Sequence, residues 1–263
     1  SDAQIRREAI RAIYDTAILD SDAGNQLAAL DPAEYPETIQ RRIVAANYRI
    51  GQSENAKTLV SLAGNKDVAK PVRLAALEGL HKWKAAIDTD PVLGHYRPQV
   101  NKERSVTVLG EAVQKELLSF INAKQDSDLK ALAVGLASIA EVPMDEKTLR
   151  DQVADLSLAS AVRVALLDNL ASLNLVEDND LITSFLKDKS SAVRASAIRH
   201  SFDRKLDGIE EFAKREIRAG SLLSARASIA GSDPEVLESL WQSRHRYLRN
   251  ALYLDVYQGL VAA

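Results

Sequence analysis

The chain has 263 residues, of which 46% are hydrophobic, 27% charged and 5% aromatic, and its formal net charge is −3. The absence of cysteine excludes disulfides, thiolate metal sites, a cysteine nucleophile and the C-x-x-C-H motif of covalent haem. The acidic balance gives no electrostatic reason to bind a phosphate backbone. Neither an apolar run of about 18 residues nor an N-terminal signal pattern occurs, so we predict a soluble chain.

An apolar pattern with helical spacing begins near the N-terminus and recurs along the chain. Its first copy, on a helix predicted for residues 2–19, places Ile5, Ala9 and Ile10 on one face. The clearest later copies start at Val72 and Val193. In each, an apolar anchor is followed by a basic residue, then by a small residue that lets a neighbouring helix approach. The anchors are residues 5, 39, 72, 129, 162, 193 and 223.

The spacing of these anchors indicates a repeat. Successive anchors lie 30 to 34 residues apart, except for one step of 57 residues. A helix pair of this length cannot bury its apolar face alone, and it does so by stacking on its neighbours. The V-R-x-x-A-apolar signature resembles short HEAT repeats. We therefore predict an all-α fold, a HEAT-like α–α superhelix built as a solenoid of antiparallel helix pairs, in one domain over residues 1–263. Second helices of the pairs are predicted at residues 53–64, 146–153, 180–186, 207–217 and 234–241.

A basic residue follows most of the anchors, as in Arg73, Arg163 and Arg194. These repeated basic residues have two possible roles: they stabilise the fold, or they form a row of arginines that binds a ligand. An arginine on a helix face most often pairs with a nearby aspartate or caps backbone carbonyls. We favour that structural role for the repeated arginine.

The 57-residue step contains an insertion segment, residues 85–103 (AAIDTDPVLGHYRPQVNKE), in which the helical pattern stops. Its two X-Pro pairs favour extended or turn backbone, and its glycine permits a tight bend. Trp83, His95, Tyr96 and Arg97 are of the amphipathic kind that anchors interfaces. We predict these four as partner-binding residues. Two roles stay open for the segment itself: a cover on the edge of the solenoid, or a docking surface for another domain.

The run from Leu80 through HKWKAAIDTDPVLGHYRP, the long leucine-rich helix after it and the C-terminal ALYLDVYQGLVAA resemble a known family. The family is the HEAT-repeat segment of large bacterial proteins that have a sugar-dehydrogenase-like β-propeller before it and a cytochrome c-type haem-binding domain after it. The resemblance covers nearly the whole chain and implies a middle module of an exported, periplasmic protein. The residues alone leave a cytoplasmic location open. The haem motif of the family needs cysteines, so neither a catalytic residue nor a cofactor is carried over to this chain.

Two further groups of residues are candidates for sites. The four histidines are scattered and show no metal-ligand spacing, so we predict no metal site. The segment 241–257 (WQSRHRYLRNALYLDVY) is the most basic aromatic-rich stretch, and within it we predict Trp241 and Tyr247 as partner-binding residues. On an acidic chain one such stretch is weak evidence for nucleic-acid binding. Packing within the last repeat and docking of a neighbouring domain both stay open.

The sequence as a whole predicts a non-catalytic scaffold or spacer for proteins or neighbouring domains of the same polypeptide, with no nucleic-acid partner and no membrane span. Following the resemblance, it would hold a dehydrogenase propeller near a haem domain. A free-standing adaptor that grips a peptide or protein is the alternative. A DNA-associated helical-repeat enzyme of the glycosylase type is a third possibility, against which the lack of a basic stripe argues.

Overall fold

The computed structural model describes residues 2–16, 21–101, 104–173, 178–219, 222–242, 244 and 250–262. Over these residues the fold is all-α, as predicted, with fifteen α-helices that pack in neighbouring pairs. The one extended pairing in the same ranges is an isolated antiparallel bridge between Thr89 and Tyr96. The helices form two compact units, Ser1–Met144 and Asp145–Ala263. One domain over residues 1–263 stays a prediction, and each unit is described by itself.

In the first unit the helices form two rows. Helices α1, α3, α5 and α7, called the anchor helices, pack successively on one another, while α4 packs on α6 in the second row. A 3₁₀ turn at Pro32–Glu34 precedes α3. The helices are α1 (Asp2–Asp15), α2 (Asp22–Ala28), α3 (Glu37–Ile50), α4 (Ser53–Gly64), α5 (Lys70–His81), α6 (Val106–Asn122) and α7 (Ser127–Ile139).

The second unit repeats this plan. Its anchor helices α9, α11, α13 and α15 pack successively, and each helix of the second row packs on the anchor helix that follows it in the chain. A 3₁₀ turn at Phe185–Lys187 extends α10. The helices are α8 (Glu146–Ala154), α9 (Ser160–Ser172), α10 (Asn179–Ser184), α11 (Ser191–Asp203), α12 (Ile209–Ala219), α13 (Leu222–Gly231), α14 (Pro234–Gln242) and α15 (Asn250–Ala262).

The predicted anchor positions form the core of both units. The anchors Val72, Leu129, Val162 and Val193 are at most 2% exposed, and the small residues four positions after Val72, Leu129 and Val193 are fully buried. Helix ends also follow local chemistry. The Ser190 hydroxyl accepts a hydrogen bond from the Val193 amide at the start of α11, as expected of an N-cap.

Two of the seven predicted anchors are wrong. Ile5 is 69% exposed, because the first half of α1 lies on the surface and its burial begins at Ile10. Leu223 is 51% exposed, and the buried residue at the equivalent position is Ser224. The sequence pattern requires an apolar anchor, whereas α13 buries serines, of which Ser228 donates to the Ser224 carbonyl at 2.9 Å. The register of the last repeat is therefore shifted by one residue.

The repeated arginine has the structural role that we favoured. Arg73 Nε donates to the Ala63 carbonyl at 2.7 Å, and Arg163 Nε donates to the Val153 carbonyl at 2.9 Å. Both acceptors lie in the last turn of the preceding second-row helix, where backbone carbonyls lack a helical partner. Arg163 also forms a bidentate pair with Asp188 at 3.2 and 2.7 Å. The arginine thus caps the helix before its own.

Across the described ranges, no helix combines the length and apolar character that crossing a bilayer requires.

Candidate functional site

The insertion segment folds into an ordered turn between α5 and α6. Its described part has no helix, and the bridge between Thr89 and Tyr96 closes the turn. Within the turn, the Asp90 amide donates to the His95 carbonyl at 2.8 Å, and the Gly94 amide donates to the Asp90 carbonyl at 2.9 Å. Gly94 has a φ of 69°, a conformation that glycine adopts without strain.

Asp90 fixes this turn to the first unit. Its side chain is fully buried and accepts hydrogen bonds from a hydroxyl, two backbone amides and two arginines. The Tyr14 hydroxyl on α1 lies 2.9 Å from each carboxylate oxygen, and the amides of Val92 and Leu93 donate to Oδ1 at 2.8 and 2.9 Å. Val92 and Leu93 pack in turn against the apolar cluster formed by α1, α2 and α3. One carboxylate therefore joins the turn to the start of the chain.

Two arginines surround the same carboxylate. Arg49 Nη1 of α3 lies 3.3 Å from Asp90 Oδ2, and its Nη2 donates to the Pro98 carbonyl at 3.0 Å. Arg97 Nη1 lies 3.4 Å from Asp90 Oδ2 and donates to the Tyr14 carbonyl at 2.8 Å. Because Arg49 and Asp90 are both buried, neutralising Asp90 would leave the Arg49 charge uncompensated.

The electrostatic environment keeps Asp90 ionised. Burial alone would raise the pKa of Asp90, but the Leu93 and Val92 amides, the Tyr14 hydroxyl and the charge of Arg49 outweigh burial and lower it. Burial and the adjacent Asp90 carboxylate raise the pKa of Tyr14. At neutral pH the pair is therefore a phenol that donates to a carboxylate.

A second joint lies at the other end of the insertion segment. The Arg104 guanidinium lies between the rings of Tyr48 and Trp83, 5.2 and 4.7 Å from their centroids. Its Nη2 donates to the Tyr48 and Arg49 carbonyls and to Gln99 Oε1, at 2.6, 3.1 and 3.0 Å. Arg104 thereby fixes both the backbone of α3 and the end of the insertion segment.

The structure separates the four residues predicted in this region. Trp83 is 3% exposed and stacks on Arg104, and Arg97 is turned inward toward Asp90 and Tyr14. His95 lies on the surface, and Tyr96 is 75% exposed. Trp83 and Arg97 therefore hold the segment in place, while His95 and Tyr96 face outward. The structure gives the segment the covering role, and its outward residues leave the docking role open.

Beside this turn runs a groove of about 240 Å³ between α3, α5 and the insertion segment. Its walls include Val44 and Tyr48 of α3, and Ile87, Thr89 and Pro91 of the segment. Ile87 is 51% exposed, and Tyr96 lies directly opposite Thr89 in the bridge. We call the exposed group at its edge, Ile87, Thr89, Pro91 and Tyr96, the insertion surface.

The predicted C-terminal residues lie in the second unit. Trp241 is partly buried, its ring lies 5.9 Å from that of Tyr257, and the Arg244 guanidinium stacks on it at 4.6 Å. Trp241 thus packs within the last repeat. Tyr247, with the neighbouring residues His245, Arg246 and Arg249, lies outside the described residues. Partner binding by Trp241 and Tyr247 stays a prediction.

Another polar cluster, which the sequence did not indicate, lines a groove of about 630 Å³ between α9, α11 and α13. Asp168 Oδ1 accepts from Ser196 Oγ at 2.6 Å and from Arg199 Nη2 at 2.7 Å, and His200 Nε2 lies 2.8 Å away. Serine and histidine both contact the carboxylate, whereas in a catalytic triad the serine contacts the histidine. The i, i+3, i+4 spacing of Ser196, Arg199 and His200 on α11 was the signal that the sequence offered. The carboxylate that they contact, Asp168, lies one repeat earlier, so the spacing alone did not indicate a cluster.

In the described part of the chain, no three His, Cys, Asp or Glu side chains are grouped so that they could hold a metal ion. Comparisons of the chain with protein-family models, with curated proteins and with solved structures give no match.

Proposed function

We propose that this chain is a non-catalytic, HEAT-like scaffold that binds a protein partner or a neighbouring domain through the insertion surface. The observation that carries the proposal is the contrast within the insertion segment. Its inward residues are fixed by Asp90 and Arg104, while Tyr96 and Ile87 stay 75% and 51% exposed.

A fixed backbone favours binding because little conformational entropy is lost when a partner docks. Tyr96 adds a large amphipathic side chain, of the type that often dominates binding energy at protein interfaces. The apolar groove beside it, lined by Val44 and Ile87, offers space for a side chain of the partner. Rigidity, an aromatic anchor and an adjacent groove together support a protein ligand.

The identity of the partner is proposed from the resemblance of residues 80–98 to the HEAT-repeat segment between a propeller dehydrogenase and a cytochrome c-type domain. In that setting the chain holds the two domains at a fixed separation outside the cytoplasm, and the redox chemistry belongs to those domains. The insertion surface would contact one of them.

The first test is to read the coding sequence on both sides of this segment. Strand-rich repeats upstream and a C-x-x-C-H motif downstream would support the redox module. If both features are missing, the free-standing adaptor is the better interpretation. A photo-cross-linking amino acid is then placed at position 96 of the full polypeptide, with position 156 as the control, because Leu156 is 71% exposed and distant in sequence.

We expect position 96 to cross-link to the neighbouring domain and position 156 not to do so. The double variant Ile87→Ala, Tyr96→Ala should weaken binding of that purified domain by about tenfold or more, and Leu156→Ala should leave it unchanged. Equal binding by both variants would contradict the insertion surface. Turnover of a sugar by the isolated chain with an added electron acceptor would contradict the non-catalytic role.

A further inference from the structure

The groove between α11 and α13 has a counterpart in the first unit, the groove between α3 and α5. The buried anchor positions of these four helices are residues 39, 72, 193 and 224. In both grooves the later helix contributes an alanine three positions after its anchor and a glycine seven positions after it. The earlier helix contributes an aromatic residue nine positions after its anchor. The two grooves are therefore copies of one repeated surface.

Each copy contains the same contact between an aromatic ring and a glycine. Tyr48 of α3 lies against Gly79 of α5, where a Cβ would be 3.1 Å from the ring. Phe202 of α11 lies against Gly231 of α13, where a Cβ would be 2.3 Å from the ring. The likeness of the two grooves thus extends from sequence positions to packing.

The two grooves differ in what lies along them. In the first unit the insertion segment forms one wall with Ile87, Thr89 and Pro91, which alternate in sequence, and about 240 Å³ stays open. The backbone of this wall is extended at Thr89, where it forms the bridge to Tyr96. In the second unit every described residue of the lining belongs to α9, α11 or α13, and about 630 Å³ stays open. The first unit therefore shows which kind of segment fits this surface: an extended backbone with uncharged side chains at alternate positions.

The second groove offers hydrogen-bond donors to such a backbone. Arg199 and Arg226 line it with side chains 55% and 48% exposed, and each is paired with one carboxylate through one nitrogen. Their other guanidinium N–H groups have no partner among the described residues. Since each charge is already compensated, these groups suit neutral acceptors such as backbone carbonyls. Arg49 binds the insertion segment in this way, through the Pro98 carbonyl.

We infer that the groove between α11 and α13 binds an extended, uncharged peptide segment of a partner protein, with apolar side chains at alternate positions. Two carboxylates in the lining, Asp168 and Asp203, balance the two arginines, so a charged segment gains no net attraction. Phe202 and the half-exposed Leu223 offer apolar contacts to its side chains. The alanines of α11 and α13 that line the groove let its backbone approach closely.

Fluorescence anisotropy tests the inference with a labelled peptide of residues 86–93 (AIDTDPVL), titrated with the whole chain. We expect a dissociation constant on the order of 100 µM. A peptide with Asp88→Asn and Asp90→Asn should bind at least as tightly, because the groove takes the side chains that alternate with these two. Ala230→Trp, at an exposed position in the groove, should weaken binding at least tenfold. Ala154→Trp, at an exposed alanine of α8 outside the groove, should leave it unchanged.

Two further comparisons separate the proposed ligand from other ligands. Arg226→Ala should weaken binding several-fold, and an unchanged affinity would overturn the role given to the arginines. Binding of the aspartate peptide alone, lost as the salt rises from about 0.05 to 0.5 M, would overturn the uncharged ligand and assign the groove to acidic segments. No binding up to about 1 mM peptide, or equal binding by the two tryptophan variants, would overturn the site. The insertion surface belongs to the first unit, so these variants leave the proposed function untouched.

Discussion

Two buried or half-buried carboxylates, Asp90 in the first unit and Asp168 in the second, bind similar sets of donors but do different things. Each accepts from a hydroxyl and lies beside at least one arginine. Asp90 is 1% exposed and joins α1, α3 and the insertion segment, which are far apart in sequence. The Asp168 side chain is 37% exposed, and Ser196, Arg199 and His200, which contact it, all lie on α11.

The difference shows that the number of hydrogen bonds does not decide what a carboxylate contributes. Its contribution to stability depends on how completely the carboxylate is desolvated and on how far apart in sequence its partners are. Around Asp90 water is excluded, so losing one charge leaves another without compensation. Around Asp168 solvent can replace a lost partner. Asp90 therefore acts as a joint of the fold, and Asp168 as the wall of an open groove.

The largest expected effect is that of Asp90→Asn. The substitution keeps the shape but removes the charge that faces Arg49, so we expect the first unit to lose about 3–5 kcal/mol of its free energy of unfolding. The chain has two tryptophans, one in each unit. In a Trp241→Phe background, the fluorescence of Trp83 during urea unfolding reports on the first unit. Glu78→Gln, at an exposed residue of α5, is the control, and a loss no larger than that of the control would contradict the joint.

Next in size is the effect of Gly51→Ala, which tests the second joint. Gly51 ends α3 with a φ of 71°, and a Cβ there would lie 2.3 Å from Arg104 Nη2. Alanine adds backbone strain of about 1–2 kcal/mol and displaces the guanidinium from Tyr48 and Trp83. Gly94→Ala is the matched control, because Gly94 has a similar φ of 69° with open space around it. We expect Gly51→Ala to cost about twice as much as Gly94→Ala. Equal losses in urea unfolding would show that Arg104 moves freely.

A smaller effect is expected for Asp168→Asn. The carboxylate is partly exposed and its donors can turn to water, so the second unit should lose about 1 kcal/mol or less. Urea unfolding in a Trp83→Phe background, followed through Trp241, measures the loss. A loss of unfolding free energy as large as that of Asp90→Asn would contradict the claim that Asp168, unlike Asp90, is not a joint of the fold. Asp151→Asn, at an exposed residue of α8, gives the baseline.

At neutral pH both carboxylates are ionised, and acid should remove the stabilisation that each of them provides. Burial alone would raise the pKa of Asp168, but hydrogen bonds from His200 and Ser196 and the charge of Arg199 lower it overall. A lowered pKa in the folded state stabilises the fold above the unfolded value of about 3.9, and this stability is lost as the pH falls through the folded value. We therefore expect both units to weaken below about pH 4. Asp90→Asn should flatten this dependence in the first unit alone, and an unchanged pH profile would contradict the assignment.

The helical repeat could be predicted from the sequence because its signal is local. Val72, Leu129, Val162 and Val193 each begin a copy of the helical pattern, and the packing of helices in neighbouring pairs buries each of them in the same way. The pattern failed at Ser224, where a buried serine whose hydroxyl donates to the Ser191 carbonyl of α11 takes the place of an apolar anchor. A search for apolar anchors cannot find such a residue.

The site was less predictable because its contacts are long-range. The composition of the insertion segment indicated interface residues, yet the fold divides them into inward and outward groups. Tyr14 meets Asp90 across 76 positions of sequence, and no local pattern links the two. The X-Pro pair at Asp90 favoured extended or turn backbone, and the Asp90 side chain does accept from the Val92 and Leu93 amides in a turn. Its role as a buried joint depends on α1 and α3.

The arginine that caps the preceding helix also defines how such a chain can be cut and recombined. Arg73 bonds a carbonyl of α4, and Arg163 bonds a carbonyl of α8, each ten residues earlier. A cut between a second-row helix and the next anchor helix would leave that carbonyl without its donor. The interchangeable block is then a second-row helix together with the anchor helix that follows it. It differs from the predicted helix pair, in which the anchor helix comes first. Gene duplication, or a designer who lengthens the array, would preserve folding best by copying that block.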